Sequence, residues 1–105
     1  LGFEFQGEMQ MPGGSTMHRL MCGTSLIKIV EHAKPRNAGA PPGGIAGATG
    51  YRYWTISVEN LEEITGQCEA AGHKVAVPIT QIRPGVRISM VEDPDGNWVE
   101  FLEQA

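Results

Sequence analysis

The sequence is poor in the features that mark most site chemistries. It holds only two cysteines, Cys22 and Cys68, far apart and without a metal-type spacing. That excludes a disulfide framework and fits buried free thiols in a cytoplasmic chain. The three histidines, His18, His32 and His73, lack the short paired spacing of a zinc site. No apolar run approaches the length of a membrane span, and the opening residues do not read as a signal peptide. Basic residues are in deficit, 8 against 12 acidic ones for a net charge of -4. Nothing in that balance steers the chain to nucleic acid or to an anionic membrane, so neither is expected as a partner. There is no nucleophile elbow, phosphate-cradling glycine loop or dinucleotide fingerprint, because the glycines before Tyr51 have no strand-to-helix context.

What is present reads as one small globular domain, or as two very small modules sharing a core: 105 residues, 41% hydrophobic and 19% charged. Leu1 is not an initiator methionine, so the natural chain is expected to begin further upstream.

The most informative stretch is Asp93-Pro94-Asp95-Gly96-Asn97-Trp98-Val99-Glu100-Phe101-Leu102. Pro94 presets φ for a turn and Gly96 can adopt the positive φ that a side chain opposes, so a hairpin is expected between residues 86–91 and 98–102. Alternation puts Trp98, Glu100 and Leu102 on one face of the last strand and Val99 and Phe101 on the other. A strand apolar on both faces that still carries a carboxylate suggests a helix behind Val99 and Phe101 and a partly enclosed space in front of Glu100.

In chain order, strands are expected from Phe3 to Glu8, over 17–21 and over 25–31. Residues 33–50, rich in alanine, proline and glycine, read as a linker or flap. A strand over 51–58 puts Tyr53, Thr55 and Ser57 on one face and Trp54, Ile56 and Val58 on the other. Asn60 and Glu63 read as a capping box for a helix whose buried stripe is Leu61, Ile64, Cys68 and Ala71 and which Gly72 ends. A strand over 74–77 is expected to stop at Pro78, with a loop over 79–85 before the hairpin.

Ser25-Leu26-Ile27-Lys28-Ile29-Val30-Glu31 aligns without a gap on Asn97-Trp98-Val99-Glu100-Phe101-Leu102-Glu103, with Lys28 on Glu100. Such a match points to two copies of one supersecondary unit. Together with Tyr53-Trp54-Thr55-Ile56-Ser57-Val58-Glu59-Asn60-Leu61 and Leu1-Gly2-Phe3-Glu4-Phe5, the closing motif resembles the glyoxalase/bleomycin-resistance/dioxygenase (vicinal oxygen chelate) superfamily. The resemblance implies an α+β fold of paired βαβββ modules forming a curved antiparallel cleft. It places three strands of a first module in 1–32, a linker in 33–50 and a complete second module in 51–105. The first module's opening strand and helix are expected upstream of Leu1.

The resemblance places Glu100 at the family's last metal-ligand glutamate, Lys28 at the corresponding first-module position, and Tyr53 at a ligand position often held by histidine. A divalent ion needs several deprotonated donors, and a cation and a neutral phenol are poor ones, so a bound metal is expected less than its absence. Glu100 is the candidate catalytic and metal residue. Tyr53, Trp98, Lys28, Thr55 and Arg83 are the candidate ligand-binding residues, Trp98 by stacking and Arg83 by attracting an anion from its loop. Three readings stay open: a metal-dependent lyase, isomerase or dioxygenase; a metal-free ligand-binding or resistance protein; and a structural homodimer without chemistry. Because three strands without their helix would expose apolar backs, either an upstream segment or a dimer is expected to cover them.

Overall fold

The computed structural model describes all 105 residues, which divide into two compact units, Leu1–Ala38 and Gly39–Ala105. The first unit is an antiparallel meander of β1 (Glu4–Gln10), β2 (Thr16–Cys22) and β3 (Ser25–Glu31), in that spatial order. β2 and β3 are joined by a two-residue turn, Cys22 pairing with Ser25. A register shift between Phe5 and Gly7 bends β1 and sets Gly7 opposite Arg19. Phe5 and Ile29 lie on the face where the repeat would put a helix, and they are 59% and 54% exposed.

The second unit is a sheet of order β4-β7-β6-β5, built from β4 (Tyr53–Ser57), β5 (Val75–Arg83), β6 (Val86–Glu92) and β7 (Trp98–Gln104), with helix α1 (Leu61–Ala70) between β4 and β5. Its last three strands repeat the meander of the first unit, as the alignment of the two halves implies, and the whole is α+β as expected. One pairing departs from an all-antiparallel sheet: β4 runs parallel to β7, because the chain crosses over through α1 before returning.

The 93–97 turn closes as its residues suggest. The Asp93 Oδ1 accepts the Asp95 and Asn97 N–H groups at 2.9 and 2.8 Å, and Gly96 takes a φ of 85°. Behind β7, α1 packs Leu61, Ile64, Thr65 and Cys68 against Ile56, Val91, Val99 and Phe101, with Leu61 at 0% and Phe101 at 1% exposure. Burial pushes the Cys68 thiol above its ordinary pKa. No helix is long and apolar enough to cross a membrane.

Four expectations need correction. The strand before the hairpin does not stop at Pro78 but continues to Arg83. β5 is an edge strand, and a register irregularity between Val77 and Thr80 spans the proline, which has no partner in the ladder, so no ladder bond depends on its missing N–H. Asn60 does not cap the helix with its side chain. Glu103 of β7 reaches across and its Oε2 accepts the Leu61 N–H at 3.1 Å, while the Asn60 amide turns to the Glu63 carboxylate at 3.4 Å. Thr65, not Ala71, completes the buried stripe. Finally, residues 39–50 of the stretch expected as linker belong to the second unit, and Gly44–Ala46 forms a short 3-10 turn.

Two polar clusters tie the helix to the sheet. Arg87 of β6 bonds Glu62 of the helix at 2.6 Å and also Glu103, and its guanidinium holds both carboxyls below the ordinary carboxylate range. Deeper in, the Thr65 and Ser89 hydroxyls share a 2.7 Å hydrogen bond, and Ser89 is fully buried. Thr65→Val strands the Ser89 hydroxyl and is expected to cost about 1–3 kcal/mol in urea unfolding, as is Ser89→Ala for Thr65; the double variant should cost less than the sum. Strict additivity would mean that the two hydroxyls are not coupled.

The Arg87 cluster makes stability pH-dependent in a definite direction. A carboxyl whose folded pKa is depressed contributes stability above its unfolded value, near 4.5, and loses it as pH falls through the lower folded value. Arg87→Met is therefore expected to be less stable than wild type at neutral pH, with the gap narrowing below the ordinary carboxylate range. A constant gap down to the most acidic folded conditions would contradict this.

Candidate functional site

Because β7 lies between β4 and β6, the side chains on the face away from the helix fall into three rows. They are Tyr53, Trp98 and Glu92; then Thr55, Glu100 and Met90; then Ser57, Leu102 and Ile88. The sequence alternation had put Tyr53, Thr55, Trp98 and Glu100 on common strand faces, and the parallel register brings all four onto one surface.

Glu100 sits at the middle of that surface and is 9% exposed. The Thr55 hydroxyl donates to its Oε1 at 2.8 Å. Within the second unit this is its only hydrogen bond, and no cation of that unit pairs with it. A carboxylate taken largely out of water and given a single donor keeps acceptor capacity that a ligand's N–H, O–H or cationic group can use.

In the first row, the Trp98 indole N–H donates to the Glu92 Oε1 at 3.3 Å, which orients the ring. The 3-10 turn rests on that ring. A Cβ at Gly44 would come within 2.2 Å of the indole carbons, and Gly44 also has a φ of 58°, so a side chain is excluded there on both counts. Arg52 fastens the turn: its Nε donates to the Gly44 carbonyl at 2.7 Å and its Nη2 to those of Pro41 and Pro42 at 2.9 and 3.2 Å. A guanidinium offers five donors in a fixed fork, which suits a proline- and glycine-rich strap whose carbonyls have no strand partner. Arg52 is thus a structural clasp, its donors taken up by the strap.

A cavity of about 360 Å³ opens beside this row, lined by Tyr51, Tyr53, Trp54, Asp93, Asn97 and Trp98 together with Arg52. β4 is an edge strand, so residues from both its faces reach the space. Glu100 lies one pleat further along β7 and does not line it.

The remaining candidates are placed elsewhere. Arg83 ends β5 at the sheet's opposite edge, beside the tight turn to Val86, and does not join Glu100 and Thr55. Lys28 belongs to the first unit, where it stands opposite Arg19. His18 is bracketed by two glutamates, Nδ1 to Glu8 and Nε2 to Glu31, each at 3.5 Å. Glu92 and the clasp of Arg52 on Gly44 were not foreseen. Pro41-Pro42-Gly43-Gly44 signals a strap, but composition says nothing of which distant side chain gathers it.

A divalent metal is the cofactor that the family resemblance raises. The donors within the second unit do not fit one: Glu100 is joined in its row by a hydroxyl and a thioether, and no group of three or more His, Cys, Asp or Glu side chains is placed to hold an ion.

Comparison with known proteins gives a consistent picture. The family model described as Glyoxalase/Bleomycin resistance protein/Dioxygenase superfamily matches residues 1–101. A glyoxalase family protein from Bacillus cereus superposes with a TM-score of 0.82 at 16% identity, over 98% of this chain and 78% of that one. A glyoxylase/bleomycin resistance protein/dioxygenase domain from Frankia sp. EAN1pec gives 0.76 at 16% identity, over 100% and 80%. A glyoxalase family protein from Enterococcus faecalis gives 0.70 at 23% identity, over 97% and 79%. At such identities the likeness is one of fold. No match is found among curated proteins.

The seating of Gly44 on Trp98 is open to a direct check. In a Trp54→Phe background, where Trp98 is the sole tryptophan, Gly44→Ala is expected to lift the strap, red-shift the emission and increase acrylamide quenching, at a cost of about 1–3 kcal/mol. Unchanged emission and quenching would show that the strap does not cover the ring.

Proposed function

The chain belongs to the glyoxalase/bleomycin resistance protein/dioxygenase superfamily, and on that premise we propose that it is a small-molecule-binding protein whose Glu100 carboxylate receives a ligand's donor group directly, without a protein-held metal. The reading rests above all on Glu100 itself, largely buried, held by one hydroxyl and flanked by Trp98 in the neighbouring row. A protonated amine next to an apolar or aromatic body matches that pair. The charge meets the carboxylate where water screens it little, and the body lies against Trp98 and Tyr53. Thr55 acts as a positioning residue that fixes the carboxylate oxygen.

The metal-dependent lyase, isomerase or dioxygenase reading is the weaker one, because the donor set that would polarise vicinal oxygens is not assembled by Glu100 and its row. A second copy of the chain is proposed as the partner that covers Phe5 and Ile29. Sedimentation as a stable monomer at micromolar concentration would remove that part.

Titration with benzylamine, followed by tryptophan fluorescence and calorimetry, is expected to show saturable binding that a chelator leaves unchanged. Glu100→Gln should weaken it about tenfold or more, the scale of one charge-assisted hydrogen bond, and benzyl alcohol should bind more weakly than the amine. Binding abolished by the chelator would restore the metal reading, and equal affinity of wild type and Glu100→Gln would remove the carboxylate from the site.

A further inference from the structure

The strap over Trp98 is held at few points. Of residues 41–47 only Gly44 is buried, and Ile45, the one large aliphatic side chain of the stretch, is 48% exposed. Its one backbone hydrogen bond is internal, from the Gly47 N–H to the Gly44 carbonyl at 3.2 Å. Every hydrogen bond from these residues to the rest of the unit comes from a single side chain, that of Arg52, and ends on the carbonyls of Pro41, Pro42 and Gly44. A segment with little buried surface and one fastening is the kind that opens locally at low free-energy cost.

The strap meets the sheet on a flat aromatic surface. A Cβ on Gly44 would lie 2.2, 2.2 and 2.5 Å from Cε2, Cζ2 and Cη2 of Trp98, and near-equal distances to three consecutive ring atoms put the glycine over a face of the indole, not at its rim. Such a face is what an aromatic body stacks on. Here it is taken by backbone alone, with no side chain inserted to anchor the contact.

The turn is folded closely around its fastening. A Cβ on Gly47 would come within 1.9 Å of the Pro42 carbonyl oxygen and 2.8 Å of the Arg52 Nη2. Without the guanidinium, the buried Gly44 carbonyl loses its charged donor while the strap is down and gains water when the strap lifts.

We propose that the strap is an autoinhibitory lid on the Glu100 site: seated by Arg52, Gly44 holds the indole face of Trp98 that a ligand's aromatic body takes when the strap lifts. The inference rests on the reading of Glu100 as the group that receives a ligand's ammonium, and it adds what controls the surface in the neighbouring row. Apparent affinity is then the intrinsic affinity reduced by the fraction of molecules whose strap is lifted. Arg52 is a positioning residue that sets this fraction. The lid also discriminates by size, because a small ammonium has no body to place on the indole and gains nothing from displacing Gly44.

The test compares wild type with Arg52→Met and, as an independent way of lifting the strap, Gly44→Ala. The probes are benzylamine and methylamine, which has the charge without the body. Binding is followed by calorimetry and by the carbon-13 shift of the Glu100 side-chain carboxyl. Both variants are expected to bind benzylamine about tenfold more tightly than wild type and to gain nothing for methylamine. A residue that served only to hold the fold together would not tighten one amine and spare the other. In a Trp54→Phe background, Arg52→Met without ligand should show increased acrylamide quenching of Trp98, and benzylamine added to wild type should move the backbone amides of Gly44 and Gly47.

No gain for benzylamine in either variant, or an equal gain for methylamine, would overturn the lid; if Glu100→Gln still weakens benzylamine, the carboxylate reading stands without it. A tightening in Arg52→Met that persists undiminished when Glu100→Gln is added would keep the lid on Trp98 and remove the carboxylate. Failure of benzylamine to saturate wild type or either variant would remove both.

Discussion

The second unit depends on the parallel register between β4 and β7. Tyr53 against Trp98, Thr55 against Glu100 and Ile56 against Phe101 are set by the same ladder. A shift of one residue would turn Phe101 and Val99 away from α1 and send Glu100 into the helix packing. The apolar side of β7 holds that register: Phe101 and Val99 are buried with Ile56, Leu61 and Ile64, and a one-residue slip would turn Phe101 and Val99 to the other face. The carboxylate on the other face is thus placed by hydrophobic packing that it takes no part in.

Each end of this arrangement is secured by an arginine used for structure. Arg87 joins α1 to β6 and β7 through Glu62 and Glu103, and Glu103 also takes the first helical N–H. Arg52 gathers the carbonyls of the strap and seats Gly44 on Trp98. The helix end and the strap are both places where backbone groups lack ladder partners, and in both a charged side chain supplies what regular structure cannot. Neither residue is then free to recruit a ligand, which leaves Glu100, Thr55 and the aromatic row as the groups with capacity to spare.

Much of this was legible in the residues, and the boundary is a physical one. Local signals were sufficient where the chain decides its own conformation. Examples are the Pro94 and Gly96 turn, the alternation of Trp98 to Leu102, the span Ser25–Glu31, and the helix end at Gly72, where the N–H groups of Gly72 and His73 close on the Glu69 and Cys68 carbonyls. Reading failed where a partner distant in sequence decides. Pro78 looked like a strand stop because nothing local says that β5 is an edge. Asn60 looked like a cap because Glu103, which takes the Leu61 N–H, lies 42 residues beyond Leu61. The surface shared by Thr55 and Glu100 needed two alternations to be combined through the parallel pairing of β4 with β7, which residue patterns alone leave open.

The central claim is that the Glu100 carboxylate is the group a ligand meets. It is tested most directly by carbon-13 NMR of protein labelled at the glutamate side-chain carboxyl, with Glu100 assigned by comparison with Glu100→Gln and benzylamine added stepwise. The account expects the Glu100 resonance to move saturably while those of Glu62 and Glu103, held by Arg87, stay in place. A stationary Glu100 signal, with the shifts falling on other glutamates or on none, would contradict it.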